Sequence, residues 1–331
     1  MPDREALIAR FLADAGWDRA RRGRLAGDAS FRRYDRLEGG DGRRAVLMDA
    51  PPPQEDVRPF LAIANQLRAL GYSAPALYAA DIEAGLLLLE DLGDDTYTRL
   101  LAAGEAEEPL YRLAVDLLID LHRRDTSAIP AGLPPYDDRR LLAEALLLTD
   151  WYAPEITTLP AGARDDYIAL WHDLAPLARS VPHTLVMRDF HVDNLMRLSG
   201  RPGVAACGLL DFQDAVAGPV TYDLMSLLED ARRDIDPRLV ASMKRHYLSA
   251  FPALDAAAFE ASWAVLAAQR HAKVIGIFTR LCRRDGKPIY LPHIPRVWRL
   301  LEAAIEHPSL DGIKTWFDKN IPKDKRGVPL P

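Results

Sequence analysis

The sequence predicts an α+β protein of two lobes, with a small antiparallel sheet in the N-terminal lobe and a larger helical C-terminal lobe. Up to residue 92, short apolar runs alternate with glycine turns, which is typical of strands and hairpins. Beyond that point apolar residues recur at helical spacing over long stretches. We therefore expect residues 1–92 to form the first lobe and residues 93–331 the second.

The composition indicates a globular protein with no nucleic-acid or membrane partner. Of the 331 residues, 49% are hydrophobic and 27% are charged, which is enough for a buried core. Lysine and arginine total 42 against 48 acids, a net charge of −6, whereas a general nucleic-acid binder needs a basic surface. The apolar runs are too short to span a membrane, and two cysteines are too few for a disulfide framework. The charged start does not resemble a signal peptide, so we expect a cytoplasmic protein, and the oligomeric state stays open.

The N-terminal lobe is predicted to alternate helices and hairpins. Asp3 is a suitable N-cap, and Gly16 and Gly71 end two helices because glycine adopts the left-handed conformation of a C-cap. Glycines in a short turn supply the positive φ angles that a tight hairpin needs. In order, the predicted elements are a helix over 3–16, a hairpin around the turn at 39–42, a helix over 56–70, and strands over 76–80 and 86–89.

The C-terminal lobe is predicted to be mainly helical, with a few short strands. Helical spacing of apolar residues predicts helices over 109–123, 139–149 and 163–179, and more helices after Tyr222. Short apolar runs predict strands over 184–187, 195–198 and 207–212. These strands flank the polar residues that carry the chemistry.

Those polar residues form a pattern that fits metal-assisted phosphoryl transfer. Asp189 is followed five residues later by Asn194, and Asp211 ends the next apolar run. Mg²⁺ prefers oxygen ligands and keeps several waters, so one amide and one carboxylate suffice beside nucleotide phosphates. We predict that Asn194 and Asp211 bind Mg²⁺ and that Asp189 accepts the proton of an attacking hydroxyl. Any one of these acids alone is more often an ordinary loop cap, and it is their conjunction that favours the site.

The segments RDFHVDNL (188–195) and LDF (210–212) resemble the catalytic and metal-binding loops of the aminoglycoside phosphotransferase and choline kinase family, relatives of protein kinases. The resemblance implies a protein-kinase-like two-lobed fold, with ATP and Mg²⁺ as cofactors. Asp223, in GPVTYDL, stands where this family has an aspartate that supports the catalytic loop. A carboxylate at a helix N-terminus is compatible with the same role.

The resemblance also implies nucleotide-binding residues in the N-terminal lobe. The segment GDASFRRY lies where the family covers the phosphates, and its candidates are Gly27, Ser30, Phe31, Arg32 and Arg33. The backbones of Glu90 and Leu92 are expected to pair with adenine. Met48 stands where the family usually has a phosphate-binding lysine, so Arg32 or Arg33 is the expected substitute. Met187 replaces a histidine that is mainly a scaffold for the loop.

The acceptor site is expected among basic residues of the C-terminal helices. Between residues 270 and 299 the only acid is Asp285, which disfavours a polycationic acceptor and favours an anionic or neutral one. Helical spacing places three polar residues of this segment on one side, and a fourth lies beside the catalytic loop. The candidates are Arg188, Gln269, Arg270 and Lys273. For most other residues of the segment, a solvated basic face is the alternative interpretation.

Taken together, segments 27–34, 46–52, 188–195 and 269–273 are similar to those of bacterial anomeric sugar kinases. These enzymes phosphorylate N-acetylmuramate and N-acetylglucosamine at C1 in peptidoglycan recycling, and methionine in the lysine position is usual among them. The resemblance implies an ATP-dependent phosphotransferase with an amino-sugar substrate. The lactyl carboxylate of N-acetylmuramate would give the basic segment a partner.

Two alternatives remain open at this point. The first is another small-molecule kinase of the same family, acting on an aminoglycoside, choline or a similar alcohol. A choline-type acceptor needs aromatic faces for cation–π contacts, and the candidates are Trp151, Tyr152, Trp171 and Trp263. The second is a catalytically inactive kinase-like binding module, which Met48 and Met187 favour but the intact Asp189, Asn194 and Asp211 disfavour.

Overall fold

The computed structural model describes residues 3–27 and 31–329, which pack into two compact units. The first unit comprises Met1–Leu117 and Val192–Ala215, and the second comprises Leu118–His191 and Val216–Pro331. The lobe boundary predicted at residue 92 is not one of the breaks between these units, and it stays a prediction. No helix within the described ranges combines the length and apolar character needed to cross a bilayer.

An antiparallel sheet occupies the N-terminal region and the remainder is mostly helical, as the sequence predicts. The helices and strands are α1 (Arg4–Asp14), β1 (Arg21–Gly27), β2 (Arg33–Glu38), β3 (Arg44–Asp49), α2 (Arg58–Ala69), β4 (Leu77–Asp81), β5 (Leu86–Glu90), α3 (Tyr97–Ala102), α4 (Glu107–His122), α5 (Asp138–Leu147), α6 (Ala153–Ile156), α7 (Ala163–Ala178), β6 (His183–Val186), β7 (Leu195–Arg197), β8 (Cys207–Leu209), β9 (Val216–Pro219), α8 (Thr221–Leu228), α9 (Pro237–Ser249), α10 (Ala256–Asp285), α11 (Ile294–Ala304) and α12 (Asp311–Asn320).

An antiparallel sheet with the strand order β1-β2-β3-β5-β4 forms the first unit. The two faces of the sheet have different neighbours, because successive side chains of a strand point to opposite sides. Ala45 and Leu47 of β3 pack with Ile8 and Phe11 of α1 in a hydrophobic core. Val46, between them, lines a cavity instead. One face of the sheet therefore carries the core and the other the candidate site.

Three short elements depart from the sequence prediction. Strand β1 was missed because RRGRLAG has almost no apolar alternation, although it pairs with β2. Strand β9 was missed because it contains glycine and proline, and it pairs with β6. The strand predicted over 207–212 is too long: β8 ends at Leu209, and Asp211 has a φ of 55°, which lies outside the strand region.

Helix α10 is the long helix of the second unit and packs against α5, α7, α8 and α11. It begins after its N-cap Asp255 and ends at Gly286, whose φ is 64°. Gly276 lies where α10 meets the C-terminal end of α5. A Cβ at this position would be 2.3 Å from the backbone carbon and oxygen of Leu147, so the two helices approach this closely only because the residue is glycine. The approach brings side chains of α5 onto α10.

The C-terminal segment is fixed to the second unit by buried polar contacts. Arg326 is 2% exposed at its side chain and donates hydrogen bonds to Glu302 at 2.8 Å and Asp318 at 2.7 Å. Its guanidinium also lies over the ring of Trp298, 5.3 Å from the centroid. The next residue, Gly327, donates its N–H to the hydroxyl of Tyr152 at 3.0 Å. This tail therefore completes the core around two aromatic rings.

Candidate active site

A cavity of about 310 Å³ lies in the first unit, on the sheet face opposite α1. Its walls are mainly apolar, with polar groups contributed by the segment after β5 and by the β7–β8 hairpin, a composition typical of small-molecule sites. The lining residues are Leu25, Tyr34, Val46, Phe60, Pro75, Leu89, Glu90, Asp91, Leu92, Gly93, Asn194, Met196, Leu210 and Asp211.

Glu90 and Leu92, which are predicted to pair with adenine, line this cavity. The intervening Asp91 fixes their segment, because its carboxylate accepts hydrogen bonds from Arg36 at 2.9 Å and from the N–H of Gly93 at 2.9 Å. A backbone held in this way presents a rigid polar edge to a ligand. Asp91 is not among the residues predicted from the sequence; the signal for it is an acid close after an apolar strand.

The structure brings Asn194 and Asp211 together at one end of the β7–β8 hairpin. Leu195 pairs with Leu209, so the residues that flank these two positions meet. The N–H of Leu210 donates to the carbonyl of Asn194 at 3.0 Å, and Asn194 Nδ2 lies 3.5 Å from Asp211 Oδ2. Both side chains line the cavity. An amide and a carboxylate therefore face a shared space.

The donor set of this pair fits Mg²⁺, which takes oxygen ligands and retains water or phosphate oxygens in its other positions. Within the described ranges, no group of three or more His, Cys, Asp or Glu side chains forms a closed metal site. Asp211 is held in its left-handed conformation from both sides: Gln213 donates to its Oδ1 at 2.8 Å, and Phe212 stacks on Phe60 at 5.0 Å. Such a conformation costs about 1–3 kcal/mol and persists where the surroundings enforce it.

The structure separates the two arginines that the sequence leaves as alternatives. Arg32 points to the candidate metal site: its Nη1 is 3.7 Å from Asp211 Oδ1, and its Nε is 3.3 Å from Glu55 Oε2. Arg33, the next residue, reaches Asp49 at 3.3 Å on the side of the sheet that α1 covers. Arg32 is therefore the basic group beside Asp211, and Arg33 belongs to the packing of α1.

Two other predicted phosphate-loop residues, Gly27 and Phe31, are not among the described residues that line the cavity. Gly27 ends β1, and Phe31 is exposed, with its N–H donating to Glu55 at 3.2 Å. Ser30 lies outside the described residues. Met48 is buried and uncharged, which leaves Arg32 to supply positive charge here.

Asp189 lies in the second unit, in the loop after β6, and its N–H donates to the carbonyl of Met187 at 2.9 Å. Burial opposes its ionisation, but the positive charges of Lys273 and Arg270 hold the pKa of Asp189 below its usual range. The carboxylate is therefore ionised at neutral pH. A group that is to accept a hydroxyl proton needs this state.

Asp223, on α8, makes hydrogen bonds that would support the predicted catalytic loop. Its buried carboxylate accepts the N–H of Met187 at 2.6 Å and the N–H of Arg188 at 2.9 Å. Burial raises the pKa of Asp223 to about 7, even though both hydrogen bonds favour the ionised form. Both oxygens are thus committed to the loop.

Three of the four predicted acceptor residues converge on Glu144, an acid that the sequence analysis missed. Glu144 lies on α5 and is 8% exposed. Its carboxylate accepts hydrogen bonds from Lys273 at 3.0 Å, Gln269 at 3.2 Å and Tyr136 at 2.8 Å, and it pairs with Arg188. Burial opposes ionisation, but Lys273 and Arg188 lower the pKa of Glu144 to about 2. The available signal was a glutamate on the apolar face of a helix.

The fourth predicted acceptor residue, Arg270, is 5% exposed on α10. Its charge acts on Asp189 and on Asp223, so it belongs to the surroundings of the catalytic loop. Gln269 and Arg270 are buried, and the Lys273 side chain retains only 12% exposure. Because the whole stretch from Ser262 to Ala272 is buried, the assignment of these residues to one acceptor-facing side stays a prediction.

The aromatic candidates for a cationic acceptor are used in packing. Tyr152 and Trp171 are fully buried in the core, and Trp151 is partly buried. Trp263 is 5% exposed, and the ammonium of Lys244 lies over its ring, 4.2 Å from the centroid. Tyr152, Trp171 and Trp263 therefore do not present free aromatic faces to a quaternary amine.

Comparisons with known proteins show the family of this chain. Residues 22–259 match the phosphotransferase enzyme family, APH. The chain is 38% identical to an N-acetylmuramate/N-acetylglucosamine kinase of Caulobacter vibrioides, over 98% of both chains. It is 42% identical to a protein of the same name from Pseudomonas aeruginosa, over 84% of this chain and 82% of that relative.

Solved structures show the fold. A choline/ethanolamine kinase family protein from Mesorhizobium loti superposes with a TM-score of 0.62 at 14% identity, covering 94% of this chain and 98% of the other. Aminoglycoside 2′-phosphotransferase-IIIa, in its GDP complex, superposes with a TM-score of 0.61 at 16% identity, covering 91% and 98%. The predicted protein-kinase-like fold is therefore confirmed.

Proposed function

The chain belongs to the phosphotransferase enzyme family, and on that premise we propose that it is an ATP-dependent kinase of N-acetylmuramate and N-acetylglucosamine. The phosphoryl group is transferred to the anomeric C1 hydroxyl, in the recycling of cell-wall sugars. The observation that carries the proposal is the pairing of Asn194 with Asp211 in the cavity. Relatives that carry both sugar names, at 37–42% identity over most of the chain, support the choice of acceptor.

Residues of the first unit bind the donor in this proposal. The backbones of Glu90 and Leu92 pair with adenine at the apolar end of the cavity, and Arg32 contributes positive charge toward the phosphates. Asn194 and Asp211 would hold Mg²⁺, which would neutralise phosphate charge during the transfer. These residues position the nucleotide and stabilise the negative charge of the transition state. These are the main tasks of a protein in phosphoryl transfer.

Asp189 orients the acceptor and takes its proton. An anomeric hydroxyl belongs to a hemiacetal and is more acidic than an ordinary alcohol, so a carboxylate of low pKa suffices as the proton acceptor. Asp223 keeps the loop in place through its two backbone hydrogen bonds. A cytoplasmic location belongs to the same proposal, since ATP is the phosphate donor.

A substrate panel tests the proposal. ATP and Mg²⁺ are incubated with the chain and with N-acetylmuramate, N-acetylglucosamine, choline or an aminoglycoside, and the phosphorylated product is identified by ³¹P NMR. We expect turnover with the two amino sugars and a phosphate on C1, which also removes the reducing end. Turnover confined to choline or the aminoglycoside, a product phosphorylated elsewhere on the sugar, or no turnover at all would refute the assignment.

A further inference from the structure

Glu144 is an acid whose two oxygens serve two different kinds of donor. Oε1 receives the cations, Lys273 at 3.0 Å and Arg188 at ion-pairing distance, and Oε2 receives the neutral donors, Tyr136 at 2.8 Å and Gln269 at 3.2 Å. A buried carboxylate with this many donors stays ionised and fixed in position. Removing only its charge would take away the carboxylate that two largely buried cations share.

Both cations border the catalytic loop. Arg188 directly precedes Asp189 in the chain, and Lys273 shares Oε1 of Glu144 with Arg188. The side chains of Arg188 and Lys273 are 13% and 12% exposed, so each keeps a small accessible surface. Since Asp189 is proposed to orient the acceptor hydroxyl, an acceptor placed there lies close to both cations.

The two proposed acceptors differ in charge. N-acetylmuramate carries a lactyl carboxylate, whereas N-acetylglucosamine has a hydroxyl at that position and no charge. Without Glu144, the positive charges of Arg188 and Lys273 would favour the anionic sugar, because the neutral sugar brings no carboxylate to them. Glu144 offsets part of this positive charge from within the protein.

We propose that Glu144 is an internal counter-ion of the acceptor site and sets the balance between anionic and neutral sugars. The inference rests on the proposed function and deepens it. Glu144 acts through Lys273 and Arg188 and is therefore a positioning residue. It supplies the carboxylate that a neutral acceptor lacks, so one site can turn over both sugars.

The test is the ratio of kcat/KM for N-acetylmuramate to kcat/KM for N-acetylglucosamine. In Glu144→Gln we expect this ratio to rise at least tenfold, mainly because kcat/KM for the neutral sugar falls. In Lys273→Met, which removes one of the cations, we expect the ratio to fall at least fivefold. Tyr136→Phe is the matched control, because it deletes a hydrogen bond to the same carboxylate without changing any charge, and its ratio should stay within twofold of the wild type.

The possible results distinguish a failure of the Glu144 inference from a failure of the proposed function. If the wild-type chain phosphorylates neither sugar, the proposed function fails and the inference fails with it. If it phosphorylates both, and Glu144→Gln folds with an unchanged ratio, Glu144 is only structural and the inference alone is overturned. If Glu144→Gln does not fold, Lys273→Met decides by itself, and an unchanged ratio in that variant overturns the inference.

Discussion

The backbone N–H of Arg188 donates a 2.9 Å hydrogen bond to the buried carboxylate of Asp223, and Arg188 adopts a φ of 69°. A residue with a Cβ pays about 1–3 kcal/mol for such a conformation, so the surroundings must enforce it. Asp223 does so through adjacent amides, since it also accepts the N–H of Met187 at 2.6 Å. The direction of Asp189 therefore depends on a side chain of another element.

Replacing Asp223 with alanine should disorganise this loop. We expect kcat to fall about 100-fold or more, because proton acceptance by a positioned group contributes about 10²–10⁴-fold and is lost when the group moves. Nucleotide affinity should change little. The matched control is Ser226→Ala, which deletes only a 3.4 Å bond to the carbonyl of Arg188 and should keep most of the activity. Full turnover in Asp223→Ala would show that the loop keeps its conformation without the Asp223 carboxylate.

Variants of Asp189 and Asp211 should lose activity for different reasons. Asp189→Asn removes the proton acceptor, so turnover should fall by about 10²–10⁴-fold while nucleotide affinity is retained. Asp211→Ala removes a proposed metal ligand, so Mg²⁺-dependent nucleotide binding should be lost, as measured by calorimetry with and without the metal. Normal turnover in the first variant, or metal-dependent binding in the second, contradicts the assigned role.

Arg32 and Arg33 form a natural pair of matched variants. Arg32→Met should raise the KM for ATP about tenfold or more, because Arg32 is the cation 3.7 Å from Asp211. Arg33→Met should leave that KM within about twofold and lower the melting temperature instead, because Arg33 contacts Asp49 and Glu5. Equal effects of the two changes on KM would mean that both arginines serve the nucleotide.

Glu144 should also make the stability of the protein sensitive to acid. Its pKa is lowered from 4.5 to about 2, so the folded state binds the proton less tightly than the unfolded state. The stabilisation is complete above pH 4.5 and is lost as the pH falls toward 2, with a magnitude of about 3 kcal/mol. Urea unfolding should show the difference between wild type and Glu144→Gln shrinking over this window.

The control for this pH experiment is Glu108→Gln, since Glu108 pairs with Arg112 on the surface of α4. Exposed pairs of this kind contribute about 0–1 kcal/mol, so this variant should follow the wild-type profile. A difference between wild type and Glu144→Gln that stays constant from pH 7 to pH 3 would argue that packing, and not charge, explains the loss.

Gly276→Ala tests the contact between α5 and α10. Alanine is the better helix former by about 1 kcal/mol, so propensity alone predicts a more stable protein. The added Cβ would lie 2.3 Å from the backbone of Leu147, and overpacking against backbone typically costs about 1–3 kcal/mol. We therefore expect a lower melting temperature and weaker turnover, because the helices must separate. A more stable and fully active variant would contradict this geometry.

Local patterns were enough to predict most elements. Asp3 caps α1 as expected, and the glycine turn at 39–42 joins β2 to β3. Strand β1 was missed because three of its seven residues are arginine and two are glycine, and its place in the sheet depends on pairing with β2. Short-range sequence therefore predicts elements that carry an apolar stripe or a turn, and it misses strands that tertiary pairing creates.

The candidate site was predictable only as far as adjacent residues define it. Asn194 and Asp211 follow from their spacing around a hairpin, and the structure brings their side chains to 3.5 Å. The separation of Arg32 from Arg33 depends on which sheet face each residue occupies, which the segment alone does not give. Glu144 stands far from Lys273 in the sequence, and their 3.0 Å contact exists because α5 packs closely against α10.

The buried tail has a practical consequence for anyone shortening this chain. A version that stops before Arg326 would strip the cation from the face of Trp298 and leave Glu302 and Asp318 without their shared partner. It would also open the pocket around the Tyr152 hydroxyl to solvent. Such a truncation should yield aggregation-prone material, so trimming for expression or crystallisation is better attempted at other sites.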